Sequence, residues 1–289
     1  MEQQQAQAGG GFSFVELLAK EVSRGNLEVP GFPDVALRIR KVLADPNCDA
    51  SKVAKIVAGE PVLTARIIRM ANSAALKPAN ATIKDARTAV ARMGFSLVQS
   101  ATVSFAAEQM KLVQRYEGAK TQFDAIWRRS THVAAVAYVL AKRCARSVNP
   151  DEALLAGLMH AIGKLYILSR GEDHPEIFAN DSDLERIMAD WYVSVGEAIL
   201  QSWNFDDEIV TAVGAQLDHE REPADPISLA DVMIVALPLP SVLGRPEDMA
   251  EVLDATRAGQ RLGLSTDACI EVLAEASEQI DELRSALRE

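Results

Sequence analysis

Aromatic residues make up only 5% of this 289-residue chain, and its three cysteines, Cys48, Cys144 and Cys269, never form a Cys-x-x-Cys pair. Scattered thiols in odd number give no support to a disulfide framework or a cysteine-held zinc site, and they fit a reducing compartment. Asn-Gly and Asp-Gly turn signals are scarce, which argues against a sandwich or barrel built from short hairpins. No apolar run approaches the ~20 residues that cross a bilayer. The polar start Met1-Glu2-Gln3-Gln4-Gln5 is unlike a secretory signal. There is no Walker-type loop, no Gly-x-Gly-x-x-Gly and no nucleophile elbow. A cytoplasmic chain without membrane contact or cofactor is the expectation.

Ala, Leu and Val dominate the 48% of residues that are apolar, and the chain is long enough to bury a substantial core. That composition predicts a helical protein. The net charge of −11 is unevenly spread. Residues 34–129 hold 16 basic and 8 acidic residues, whereas residues 130–289 hold 12 and 29. Overall acidity argues against nucleic acid as the main partner, although the basic block offers a local anion face. Solvated helix surfaces of opposite bias account for the same pattern.

Apolar spacing predicts helices throughout and no strand. Residues 1–11 read as a disordered tail, followed by an amphipathic helix carrying Phe14, Leu17, Leu18 and Val22. Pro33 is placed to open the next helix, Asp49 to cap a short one, and Pro61 to start another. Thr82-Ile83-Lys84-Asp85 reads as a capping-box start. A long helix then runs from Phe95 to about Tyr116, and Gly118 marks a hinge. A second long helix, 121–146, contains Trp127 and His132. The next starts at Asn149-Pro150, carries His160 and continues to Leu168. Further helices are expected over 183–202, 206–217, 226–238, 247–262 and 266–288. The chain divides into a tail (1–11), an N-terminal helical subdomain (12–118), a second helical subdomain (119–240) and acidic closing helices (241–289).

Two blocks of residues carry a family resemblance. The first joins Val29-Pro30-Gly31-Phe32-Pro33, Glu60-Pro61-Val62-Leu63-Thr64-Ala65-Arg66, Met70-Ala71-Asn72-Ser73 and Ala89-Val90-Ala91-Arg92-Met93-Gly94. The second joins His160-Ala161-Ile162-Gly163-Lys164, Val195-Gly196-Glu197-Ala198 and Asp218-His219-Glu220. Over roughly residues 25–235 the chain resembles the HDOD family, bacterial signalling modules related to HD-domain phosphohydrolases. The resemblance implies an all-α fold in which an N-terminal bundle packs on an HD-like bundle. It also implies a regulatory role exercised through other signalling proteins, with self-association as one form. Glu60-Pro61 stands where the family has Asp-Pro.

By the same resemblance, His132 and His160 correspond to the two histidines of an HD site, Asp231 to its distal Asp, and Lys164 to the following lysine. Tyr192 falls where dinuclear relatives have a His, and His219 reads as a further remnant. The decisive departure is Ala161, a methyl group where the enzymes carry a carboxylate. His132, His160 and Asp231 alone would still be a two-His-one-carboxylate set of the kind that holds Fe(II). Neutral core histidines hydrogen-bonded across helices are the competing reading. A missing carboxylate leaves less charge to offset a cation and no anchor for an attacking water. The expectation is therefore a non-enzymatic regulator with no metal. The alternatives are a phosphohydrolase with an unusual ligand set and a nucleotide sensor built on the same cleft.

Arg38, Arg40, Lys41, Lys52, Lys55 and Arg66 form a candidate partner or anion face on the N-terminal subdomain. Asn72-Ser73 reads either as a binding pair or as a helix-ending turn that bonds its own backbone.

Overall fold

The computed structural model describes residues 14–24, 27, 29, 32–73, 82–113, 117–170, 173–174, 181–222 and 225–288. The expected tail (1–11) lies outside them, as do parts of the Val29–Pro33 breaker and of the 171–175 loop. The described residues contain helices and no strand: the fold is all-α. Its helices are α1 (14–24), α2 (Asp34–Leu43), α3 (Ala50–Val57), α4 (Pro61–Asn72), α5 (Ala86–Val113) and α6 (Glu117–Cys144). There follow α7 (Pro150–Met159), α8 (Ile162–Ser169), α9 (Asp181–Ser202), α10 (Asp207–Gly214), α11 (Leu229–Ala236) and α12 (Leu239–Val242). The closing helices are α13 (Pro246–Asp254), α14 (Arg257–Leu262), α15 (Thr266–Glu275) and α16 (Ser277–Arg288).

Local chemistry sets most helix starts. The Asp49 carboxylate accepts from the Lys52 N–H at 2.8 Å, and Asn149 Oδ1 accepts from the Asp151 N–H at 2.9 Å. Both satisfy donors that a helix leaves open in its first turn. Pro61 and Pro150 occupy first-turn positions. Pro33 is the residue before α2, one place earlier than expected. The start of α5 is capped by Asp85, which accepts from the Thr88 N–H at 2.9 Å, so the capping residue is not Thr82. Gly94 (φ 76°, ψ 172°) breaks α5 into two segments, consistent with a separate helix beginning at Phe95.

The HD-like bundle is built on two close helix crossings. A Cβ on Gly157 of α7 would lie 2.4 Å from the Cα of Ala134 in α6, and one on Gly163 of α8 would lie 2.0 Å from the carbonyl oxygen of Tyr192 in α9. Backbones this near leave room only for hydrogen. Around them Val133, Leu140, Leu154, Leu158, Ile167, Ile199 and Val232 are buried. Pro150–Ser169 does reach the length and hydropathy of a membrane span, contrary to the sequence expectation, but 89% of its window is buried within the fold.

The two bundles meet at aromatic residues. Phe32 packs on Trp203 at 4.4 Å between ring centroids, and the Arg40 guanidinium sits 5.4 Å from the same indole. Helix α1 bonds to the HD-like bundle: the Tyr166 hydroxyl donates to Glu21 at 2.6 Å and Arg170 donates to it at 2.8 Å. At the other end α16 packs on α4, α5 and α6, closing the bundle as expected. The predicted 247–262 and 266–288 helices are each broken in two, at Ala255-Thr256 and at Ala276. The three cysteines are free thiols.

Candidate functional site

The helix expected to run through His160 to Leu168 is interrupted at the site itself. Helix α7 ends at Met159, His160 and Ala161 form a turn, and α8 begins at Ile162. His160 is 3% exposed, and its Nδ1 lies 2.7 Å from the Gly157 carbonyl oxygen. The carbonyl requires Nδ1 to carry the proton, leaving Nε2 as an acceptor. Burial, reinforced by the nearby charges of Arg129 and Lys164, brings its pKa down to about 4, so it is neutral at neutral pH. The amide of Gln216, also buried, donates to the His160 carbonyl at 3.0 Å and to that of Val213 at 2.8 Å.

The other sequence-derived positions do not all converge on it. Asp231 is completely buried, yet its carboxylate accepts from Arg221 at 3.0 Å and from both the backbone N–H and the hydroxyl of Ser228 at 2.8 Å. With Ser228 it makes the capping box that starts α11. His132 is half-buried and lines a cavity against the closing helices, beside Asp281 and Arg284. Burial and the Arg284 charge hold its pKa below the usual histidine value. The Lys164 ammonium sits 4.4 Å from the buried Tyr192 ring, a cation–π contact, and burial lowers its pKa. His219 is exposed, and its backbone N–H donates to the Leu217 carbonyl at 3.1 Å.

Arg129 was not legible as a site residue. Its guanidinium donates to Ser241 Oγ at 2.5 Å and to the Leu237 carbonyl at 3.0 Å. From there its charge acts on His132, His160, Lys164 and Tyr192 together. The available signal was its spacing, one helical turn before His132 on the same face.

A metal ion does not fit these residues. His160 has the tautomer a ligand would need, with Nδ1–H on a backbone oxygen. Ala161, however, supplies no side-chain donor atom, Asp231 is held by Arg221 and Ser228, and the Arg129 charge acts on His160. Among the described residues no three His, Cys, Asp or Glu side chains are grouped to hold an ion.

The six basic residues proposed as one face also part company. Arg38, Lys41, Lys52 and Lys55 are exposed, but Arg40 stacks on Trp203. Arg66 is 1% exposed and ion-paired to Glu108. The face therefore loses these two, because long apolar stems pulled them into the interior. Asn72 is a structural staple: its amide accepts from the Ile83 N–H at 2.9 Å and donates to the Ile83 carbonyl at 2.8 Å and to that of Ile68 at 2.9 Å. Ser73 donates to the Met70 carbonyl at 2.9 Å.

The sequence profile of the HDOD domain matches residues 29–219. The chain belongs to the HDOD family. Among solved structures, this HDOD chain is similar to a candidate metal-dependent phosphohydrolase from Shewanella amazonensis SB2B, at 26% identity and TM-score 0.74, covering 96% of this chain and 99% of that one. An HDOD domain protein of unknown function from Geobacter sulfurreducens matches at 24% identity and TM-score 0.62, covering 94% and 97%. A candidate signal transduction protein from Marinobacter aquaeolei VT8 matches at 19% and 0.61, covering 96% and 66%. An uncharacterized protein of Treponema pallidum (strain Nichols) is 22% identical over 214 residues; the match spans 69% of this chain and 40% of that protein.

Proposed function

We propose that this HDOD chain is a non-enzymatic signal-transduction module that acts through contact with other signalling proteins in a bacterial cytoplasm. The observation that carries the reading is the arrangement around Asp231: the carboxylate corresponding to the distal HD ligand is closed off by Arg221 and Ser228. Ala161 removes the second acid, and Arg129 stands near both histidines as a permanent cation. Such a centre is suited to holding two helical bundles in a fixed relation, whose outer surfaces a partner would read.

A specific observation favours a second reading. Similarity to the Shewanella candidate phosphohydrolase extends over 96% of the chain, so a cleft that hydrolyses or merely senses a nucleotide is the alternative. Metal analysis of protein purified without a histidine tag, combined with thermal-shift and product analysis of nucleotides with and without Mn²⁺, separates the three. The scaffold gives no stoichiometric metal, no nucleotide-induced shift and no product. A shift without product supports the sensor. Metal lost on His160→Ala together with turnover would establish the enzyme and sink the proposal.

A further inference from the structure

Helices α12 to α16 do more than cover the HD-like bundle. Between α6 and the helices α13, α15 and α16 lies a half-open cavity of about 430 Å³. Cavities of roughly 300–1,000 Å³ with mostly apolar walls and a few convergent polar groups are the usual form of small-molecule sites. Met249, Ile270, Leu273 and Ile280 supply apolar wall, and the polar groups gather on one side as His132, Asp281 and Arg284. Arg245 also lines the wall, its charge taken up by an ion pair with Asp248.

The charges at the polar side are paired. Arg284 Nη1 donates to Asp281 at 2.9 Å, which balances one acid with one guanidinium. The Nε–H of Arg284 is nevertheless buried and meets no acceptor among the described residues. A carboxylate bound side-on to a guanidinium takes Nε–H and one Nη–H together, the geometry this orphan donor offers. His132 adds a ring nitrogen, and Arg129 on the same helix acts electrostatically on that ring. An alkylammonium would leave the Nε–H without an acceptor, and an alcohol would offer only a single uncharged one, a weaker bond than a carboxylate makes.

We propose that this cavity binds a small amphipathic carboxylate, with its apolar body against Met249, Ile270, Leu273 and Ile280 and its head group on Arg284 and His132. The site is separate from the closed centre at His160 and Asp231 and depends on the closing helices, so its occupancy would fix how α15 and α16 sit on α6. Because α16 also touches α4 and α5, a ligand here reaches both bundles.

Calorimetric titration of the full chain with octanoate, decanoate, decanol and decylamine, all below their micelle-forming concentrations, tests the assignment. Saturable one-site heat is expected for decanoate, with decanol at least about tenfold weaker and decylamine silent, as for loss of one charged hydrogen-bonded pair. Arg284→Gln weakens decanoate by the same factor. Ala274→Trp, a substitution at an exposed wall position, removes binding by filling the cavity while circular dichroism stays unchanged. If Arg284→Gln does not fold, Ala274→Trp decides alone. No saturable heat with decanoate, equal heat with decylamine, or binding that survives in folded variants would overturn the proposal.

Discussion

Arg221 and Asp231 meet at 3.0 Å, an ion pair on the same carboxylate that caps the start of α11. Asp231 is fully buried while Arg221 keeps a quarter of its side chain exposed, 25%. The acid therefore depends on its partners far more than the base does. Restoring the missing acid by Ala161→Asp should not create a metal site, because Asp231 remains held and Arg129 remains near His160. The expected outcome is lower thermal stability with no stoichiometric iron or manganese. Metal retained by that single variant would show that the Asp231 network yields readily.

Asp231→Ala removes the capping box and leaves the Arg221 and Ser228 donors unmatched. Loss of a cap and of a charged hydrogen-bonded pair together should lower stability by about 2–4 kcal/mol. Urea denaturation followed by circular dichroism measures it, and a change below about 1 kcal/mol would contradict the assigned role.

The His160 environment predicts a specific pH dependence. Above pH 6.5 the ring is neutral in both folded and unfolded chains and contributes no slope. As pH falls from 6.5 to about 4, the unfolded chain takes up a proton that the buried ring refuses, so stability drops. Below about 4 the difference levels off. The whole interval corresponds to about 3 kcal/mol. His160→Gln should flatten this part of the stability–pH curve relative to the parent. Burial raises the pKa values of Asp151 and Glu152 and gives them slopes of opposite sign, which cancel in that difference.

Gly157→Ala should be severely destabilising despite improved helix propensity. Its Cβ would collide with the Ala134 backbone at 2.4 Å, and backbone cannot rotate aside as a side-chain tip can. Separating α6 from α7 should cost about 3 kcal/mol or prevent folding altogether. Thermal unfolding of Gly157→Ala beside Gly59→Ala, an exposed control glycine, isolates the crossing.

Asn72→Ala tests the staple reading of the Asn72-Ser73 pair. Three backbone bonds disappear, two of them tying α4 to Ile83, and a loss of about 2 kcal/mol is expected. Faster amide exchange at Ile83 would accompany it. Normal stability with altered partner binding would instead favour a binding role.

Much of the fold was legible before any coordinates, because its signals are local. Asp49, Asn149, Pro61 and Pro150 mark helix starts through bonds or ring geometry within one turn. The apolar stripes of α2, α3 and α4 follow a 3.6-residue period. What misled was equally local: one apolar run, Pro150–Ser169, read as an uninterrupted helix although its chain turns at His160-Ala161. Ala255-Thr256 and Ala276 hid two more breaks, since alanine carries no stop signal.

At the site, the sequence by itself determined one thing that no packing can reverse: position 161 has no side-chain oxygen. It also named His160, Asp231 and Lys164 as residues to examine. Only the tertiary structure decided their roles, because each depends on groups remote along the chain. Arg221 reaches Asp231 across a loop, and Gln216, in the turn after α10, fixes the His160 turn. Arg129 sits where α6 passes α12, more than a hundred residues away in sequence. Local pattern sets which side chains a helix presents; the charge and hydrogen-bond donors that meet them are set by folding.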